Sequence, residues 1–333
     1  MRIVYIDFNL KDSVLECYSA LNCSRYGGGS VFAPYAREAW DDFHIFANPK
    51  CFENLTENEK KDKCHPLTDE QRQDIFDGKP IKDILPEVLD FDLLVHHCSP
   101  IYINTNGTNL KTAVWVVGAF EHCRPENIDL LFFNLNGQKP DLKHNKHKIY
   151  HVQLGKPVPK FQEYKKQDII FQCSRHNNIF QSIEIVDICN RHKIPIYLGG
   201  KIDDNYPLLD IIDNKSSFWL GTLSQTEKNK WHERAKVCTI IQNGWPSPFT
   251  LGGLEAHNHG CQLWVAPSSD FWKSYIKNGV NGWFVTSEET FLEAWDRKDL
   301  IKQKDCYNSS SIYSIENMLV SFRAAFESIL NEN

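Results

Sequence analysis

The sequence predicts an α/β chain made of two halves, each built on a parallel sheet. Three observations carry that reading. Apolar runs of strand length recur along the chain, helical stretches separate them, and one stretch rich in Pro and Lys, LGKPVPKFQEYKKQ (154–167), divides the runs into two series. Strands that alternate with helices pair in parallel, because a helical crossover returns the chain to the same end of the sheet.

The first half opens on a strand, RIVYID (2–7), followed by SRYGGGSVFAPYAREAW (24–40), a glycine turn leading into an amphipathic helix. Residues 50–90 are charged and rich in turn formers, and read as an excursion from the first sheet. Further strands are expected at DLLVH (92–96), TAVWVV (112–117), DLLFF (129–133) and KIYHVQ (148–153). The second series comprises DIIFQC (168–173), IPIYL (194–198), SFWL (217–220), VCTII (237–241), QLWVA (262–266) and GWFV (282–285). In the tail SIENMLVSFRAAFESIL (314–330), Ile315, Leu319, Phe322, Phe326 and Ile329 form one apolar face of a closing helix, with Ser314 as its N-cap. The division that follows is an N-terminal domain over 1–156, a linker over 157–167, a C-terminal domain over 168–312 and the closing helix over 313–333.

Composition narrows the function classes. The chain has 333 residues, 41% hydrophobic and 24% charged, as befits a folded protein of two domains. Its net charge of −6 is spread over interspersed residues of both signs, with no basic stripe to neutralise phosphates, so nucleic acid is not expected as a partner. No apolar leader follows MRIVYIDFNL and no run reaches the roughly 18 apolar residues of a membrane span, so a cytoplasmic protein without a membrane span is expected. The eleven cysteines are odd in number, scattered and free of any CxxC pair, which predicts reduced, buried thiols. His beside Cys in VHHCSP (95–100) and EHCRP (121–125) lacks the paired spacing of a zinc site. DFD (90–92) precedes a strand instead of ending one and reads as exposed loop acids, so no metal is expected.

Two glycine-rich stretches could carry chemistry. The triple glycine in 24–40 leads into a helix whose N-terminus could hold an anion, but its spacing is not GxGxxG and no ribose-binding acid follows; taken alone it favours a plain turn. VCTIIQNGWPSPFTLGGLEAHNHGCQLWVAP (237–267) is the stronger. It reads strand, turn, Gly252–Gly253, short helix, Gly260, strand, with Glu255 expected in the first helical turn. A carboxylate there is favoured by the exposed N–H groups, and the same groups bind phosphates. On these residues alone, a helix-start acid and a nucleotide site stand level.

The order GGSVF after strand one, DLLVHH, an arginine after the first strand of the second half in FQCSRHNN, LGG (198–200), then SPFTLGGLEAHNHGCQLWVAP (247–267), resembles the retaining GT-B glycosyltransferases of family 4. That family's most specific mark reads E-P-F-G-x-x-x-x-E-A-x-x-x-G. The resemblance covers essentially the whole chain and is closest over 169–286. It implies a GT-B fold, two Rossmann-like doubly wound domains with a donor cleft between them, and transfer of a hexose from a nucleotide-sugar donor to a glycan or other glycoconjugate acceptor. GDP-mannose is favoured as donor and a UDP-hexose comes next; no cofactor and no metal are implied.

By position, the resemblance gives Glu255 the ribose hydroxyls and gives Gly252, Gly253 and Leu254 the diphosphate, through backbone amides. Gly28 and Gly29 match the N-terminal glycine loop, Gly221 and Leu223 the loop at the base, and Arg175 the cation that neutralises the leaving diphosphate. Arg175 and Glu255 are the implied catalytic residues. Thr250 stands at the family's glycine, with its amide near the sugar, and Phe249 keeps the family phenylalanine. Two departures stand out: Ser247 replaces the first glutamate of the family pair, and the lysine expected after the arginine is missing from NIFQS (178–182), with Lys201 as a possible replacement. The family histidine of the first domain has no match at Gly118, leaving His97 and His122 as acceptor-side candidates. Retaining transfer in this family lets the leaving phosphate oxygen take the acceptor proton, so catalysis rests on positioning and electrostatics. Two rivals remain: a nucleotide-sugar-binding protein without catalysis, and an NAD-dependent dehydrogenase, which the missing GxGxxG disfavours.

Overall fold

The computed structural model describes residues 1–6, 29–52, 56, 61–97, 103–116, 129–134, 148–152, 155–174, 176–177, 181–241, 251–268 and 270–331. The chain forms two compact units, one of Met1–Gly155 with Ile315–Asn333, the other of Lys156–Ser314.

Among the described residues the first unit is a parallel sheet of seven strands: β1 (Ile3–Ile6), β2 (Phe43–Ala47), β3 (Cys64–Pro66), β4 (Leu93–His97), β5 (Lys111–Val116), β6 (Leu130–Asn134) and β7 (Lys148–Val152), in the order β3-β2-β1-β4-β5-β6-β7. β1 is buried on both faces, which is why its sequence is a continuous apolar run instead of an alternation. Helix α1 (Gly29–Ala39) follows it. The terminal helix (Ile315–Leu330) belongs to this unit, with Ile315, Leu319, Phe322, Phe326 and Ile329 all buried and Phe322 stacked on Phe32 of α1 at 4.0 Å.

Two elements depart from expectation. β2 and β3 are strands that the apolar pattern did not single out, and the segment read as an excursion is part of the sheet. Within 50–90, β3 forms the sheet edge and Leu67, Ile75, Ile81, Leu85 and Val88 pack with Val4, Ile6 and Leu94 of the central strands. Helix α2 (Asp69–Phe76) starts there with a capping box between Thr68 and Gln71. The apolar residues of this stretch are set singly among charges, and that spacing hid the core they make.

Among its described residues the second unit has six parallel strands: β8 (Gln167–Cys173), β9 (Ile196–Gly199), β10 (Ser217–Trp219), β11 (Ala235–Ile240), β12 (Gln262–Val265) and β13 (Gly282–Phe284), in the order β10-β9-β8-β11-β12-β13. The chain winds outward from β8, returns to its other side at β11 and winds outward again, so the order reverses between β8 and β11. Its helices are α3 (Ser182–His192), α4 (Gln225–Arg234), α5 (Leu251–Asn258), α6 (Asp270–Tyr275), α7 (Glu288–Asp296) and α8 (Gln303–Ser311).

The segment read as a linker lies against this second unit. Asn258 Nδ2 donates to the Pro157 carbonyl at 3.3 Å, Tyr307 OH to that of Pro159 at 2.9 Å, and the Gln303 amide exchanges hydrogen bonds with the Tyr164 backbone at 3.0 and 2.7 Å. The described cysteines are free thiols, and no described helix is long and apolar enough to cross a membrane.

Candidate functional site

In an open doubly wound sheet, ligands bind beyond the carboxyl ends of the strands at the point where strand order reverses. In the second unit that point is flanked by the segment after β8 and by α5 after β11, with the ends of β9 and β10 alongside.

Backbone hydrogen bonds knit these loops together. His176 N donates to the Lys201 carbonyl at 2.7 Å, Asp203 N to that of His176 at 3.0 Å, and Gly200 N to that of Gly221 at 2.9 Å. Gly200 has φ +125°, and a Cβ there would stand 1.9 Å from the Ser174 carbonyl oxygen, so only glycine fits. A buried side-chain relay fixes the same place: Gln172 Nε2 donates to Ser182 Oγ (3.1 Å), Ser182 Oγ meets His176 Nδ1 (2.8 Å), and His176 Nε2 donates to the Gly199 carbonyl (3.0 Å). Burial lowers the pKa of His176, and the neutral ring suits both bonds.

Helix α5 begins at Leu251, so the N–H groups of its first three residues, Leu251, Gly252 and Gly253, have no acceptor within the helix. The two glycines differ in purpose. A Cβ on Gly253 would press on Trp272, Ile240 and Leu263 at 3.0 to 3.3 Å, whereas one on Gly252 would meet nothing within 4 Å among the described residues. Gly253 serves the packing of α5 on the sheet, and Gly252 touches none of the described residues.

Glu255 is the fifth residue of α5, one turn deeper than expected, and the helix has no acid in its first turn. Its stabilisation therefore comes from side chains instead of the helix dipole. Glu255 is 8% exposed, with Lys156 Nζ 2.9 Å from one carboxylate oxygen and Lys228 Nζ 3.3 Å from the other. Burial pushes the carboxyl pKa up, but the two lysines outweigh it and hold Glu255 at about 2. Beside them the His232 ring, held down to about 3 by burial, stacks on His259 at 5.9 Å. Lys166 Nζ donates to the carbonyls of His232 and His259, each at 2.6 Å. None of Lys156, Lys166, Lys228 and His232 was singled out from sequence; the S-x-x-E capping box of Ser224 and Glu227 announces α4, but nothing in it shows that Lys228 turns inward.

The other expected site residues fall in several places. Gly221 and Leu223 follow β10, and Leu223 packs against Gly199, where a Cβ would lie 2.6 Å from its Cδ1. Lys201 follows β9 with its side chain exposed. These residues and α5 all lie beyond the carboxyl ends of one sheet. In the first unit Gly29 opens α1 and His97 closes β4, paired in register with Trp115. Gly28, His122, Arg175, Ser247, Phe249 and Thr250 lie outside the described residues, as does the side chain of His97. Asp92 of the DFD stretch is exposed before β4, where its carboxylate accepts the Arg2 N–H at 2.7 Å. Among the described residues no group of three or more His, Cys, Asp and Glu could hold a metal ion.

By sequence, the chain matches no family model and no curated protein. By structure it is similar to many solved chains. A glycosyltransferase from Rickettsia africae shares 14% identity at a TM-score of 0.71, over 100% of this chain and 99% of that one. HepE (Alr3699) of Anabaena in complex with UDP-glucose shares 12% at 0.62, over 98% of this chain and 100% of that one. Sucrose-phosphate synthase from Thermosynechococcus elongatus shares 11% at 0.64, over 100% of both chains. At such identities the likeness speaks for architecture: two parallel α/β sheets, the GT-B fold.

Proposed function

We propose that the chain is a nucleotide-sugar-dependent glycosyltransferase of the retaining, family 4 kind, moving a hexose to a hydroxyl of a glycan or other glycoconjugate without a metal ion. The observation that carries this reading is Glu255: an ionised carboxylate at the switch point of the second sheet, one turn behind a helix start that offers free N–H groups. An ionised carboxylate has about four lone-pair sites, so each oxygen can hold a lysine and still accept a ribose hydroxyl. The amides of Gly252 and Gly253 then face the diphosphate, with no Cβ on Gly252 to bar its approach. Arg175 supplies a permanent cation as the diphosphate departs. The Anabaena protein in complex with UDP-glucose raises a UDP-hexose above GDP-mannose as donor.

The test is calorimetric titration with UDP-glucose, UDP-N-acetylglucosamine, GDP-mannose and UDP, repeated on Glu255→Ala, followed by NMR of the anomer formed when the bound donor is turned over. Binding of one donor that the variant loses, with the donor's anomeric configuration kept in the product, supports the proposal. Failure of every donor to bind refutes it. A second reading is favoured by Ser247 standing where the family has a glutamate: binding of the donor with no turnover, to acceptor or water, would make the chain a nucleotide-sugar-binding protein.

A further inference from the structure

The groups around Glu255 carry more positive than negative charge, and they do so away from water. Lys156, Lys228 and Glu255 have side chains no more than 13% exposed, two ammonium groups to one carboxylate. Their neighbours do not offset the surplus. Burial keeps His232 neutral, and the thiols of Cys173, Cys238 and Cys261 are likewise pushed toward their uncharged forms by burial. A third ammonium, Lys166, is already matched by carbonyl oxygens near the C-terminal ends of α4 and α5, where the helix dipoles are negative. Among the described residues this leaves one cation at the switch point without an anion of its own. A buried charge without a partner is strongly unfavourable, so the arrangement calls for an anion.

Lys228 is the lysine placed to meet it. Its helix, α4, starts directly after the Gly221–Leu223 loop, and its charge acts on the Cys173 thiol at the carboxyl end of β8. An ammonium has three donors, and the one described hydrogen bond of Lys228 is the 3.3 Å contact to Glu255. Lys156, at 2.9 Å, is the closer partner and exerts the stronger pull of the two lysines toward the ionised form of Glu255. We infer that Lys228 binds and neutralises the diphosphate of the nucleotide donor, supplying from α4 the charge that NIFQS (178–182) lacks. Lys201, the replacement expected from sequence, is exposed and carries no such surplus. The inference rests on the proposed function.

Calorimetric titration of uridine, UMP and UDP into the wild type, Lys228→Met and Lys228→Arg tests it. Loss of a charge-assisted contact predicts that Lys228→Met weakens UDP binding by roughly 10- to 100-fold while uridine binding changes by less than about threefold. Lys228→Arg, which keeps the cation, should hold UDP within about threefold of the wild type. Equal losses for uridine and UDP would place the action of Lys228 on Glu255 and the ribose, and unchanged UDP affinity would remove it from the site; either overturns the inference. If Lys228→Met does not fold, Glu255→Gln and the double variant Glu255→Gln/Lys228→Gln replace it, and equal UDP affinity of those two overturns it as well. A wild type that binds none of the three nucleotides defeats the proposed function itself, before any variant is made.

Discussion

Replacing Glu255 by Gln keeps the shape of the side chain and removes the one anion shared by two enclosed lysines. The structure sets the size of the effect. An ordinary glutamate titrates at 4.5, and Glu255 is held at about 2 against the opposing pull of burial. At roughly 1.4 kcal/mol per pH unit, the ionised form gains about 3 kcal/mol from its surroundings on folding. Breaking a buried ion pair costs about 3 to 5 kcal/mol in general, so Glu255→Gln should destabilise the second unit by about 3 kcal/mol at pH 7. The sign in pH follows: because the folded carboxyl binds its proton less readily, the contribution is complete above about pH 4.5 and is lost as pH falls toward 2. Urea unfolding followed by tryptophan fluorescence is the assay, since seven of the nine tryptophans fall within Lys156–Ser314. With a slope of about 2 kcal/mol per molar urea, the midpoint should drop by roughly 1 to 2 M. A variant whose midpoint matches the wild type at pH 7, with the same acid slope, would mean that water already screens the two lysines and that the enclosed-charge argument is wrong.

Acid should weaken the second unit well before Glu255 protonates. His232 and His257 are buried and held at about 3, against 6.5 for a free histidine, so each favours unfolding by about 1.4 kcal/mol per pH unit as pH falls below 6.5. Thermal melts from pH 7.5 to 5 should show a falling midpoint, and His257→Gln should flatten the slope; a flat wild-type profile would rule this out. The two glycines of α5 should behave oppositely. Gly253→Ala, which sets a methyl 3.0 Å from Trp272, should lower the urea midpoint, whereas Gly252→Ala should leave it unchanged and weaken UDP binding. Equal effects of the two on stability would contradict the division of labour between them.

Legibility in the sequence followed the kind of burial each segment meets. Strands buried on both faces, such as Ile3–Ile6, are unbroken apolar runs and stand out. β2 mixes a histidine into its apolar run, FHIFA, and β3 is three residues long, CHP, so neither has enough pattern to be seen. The glycine pair marked α5 but misplaced its start, because Gly252 and Gly253 lie inside the helix and not before it. Lysine reads as a surface residue, and a stretch with several lysines reads as a spacer. Lys156 and Lys166 instead reach into the second unit, where one meets a carboxylate and the other two carbonyls. On α4, Lys228 and His232 share a face at a spacing of four, but a search for apolar periodicity does not register a polar inward face.

The second unit is a single continuous stretch, whereas the first needs both flanks of it. Lys156 and Ser314, the ends of that stretch, are joined by a parallel bridge, with Lys156 N donating to the Tyr313 carbonyl at 2.9 Å. During synthesis this reverses the usual order in which N-terminal domains finish first. The second unit has all its residues once the ribosome has passed Ser314. The first must wait for the terminal helix, whose Phe322 and Phe326 fill a core that the earlier residues leave open. A chain truncated after Ser314 should thus carry a finished C-terminal unit tethered to an N-terminal sheet that still exposes Phe32 and its neighbours. A chaperone that screens for exposed aromatic surface would release the beginning of this protein last.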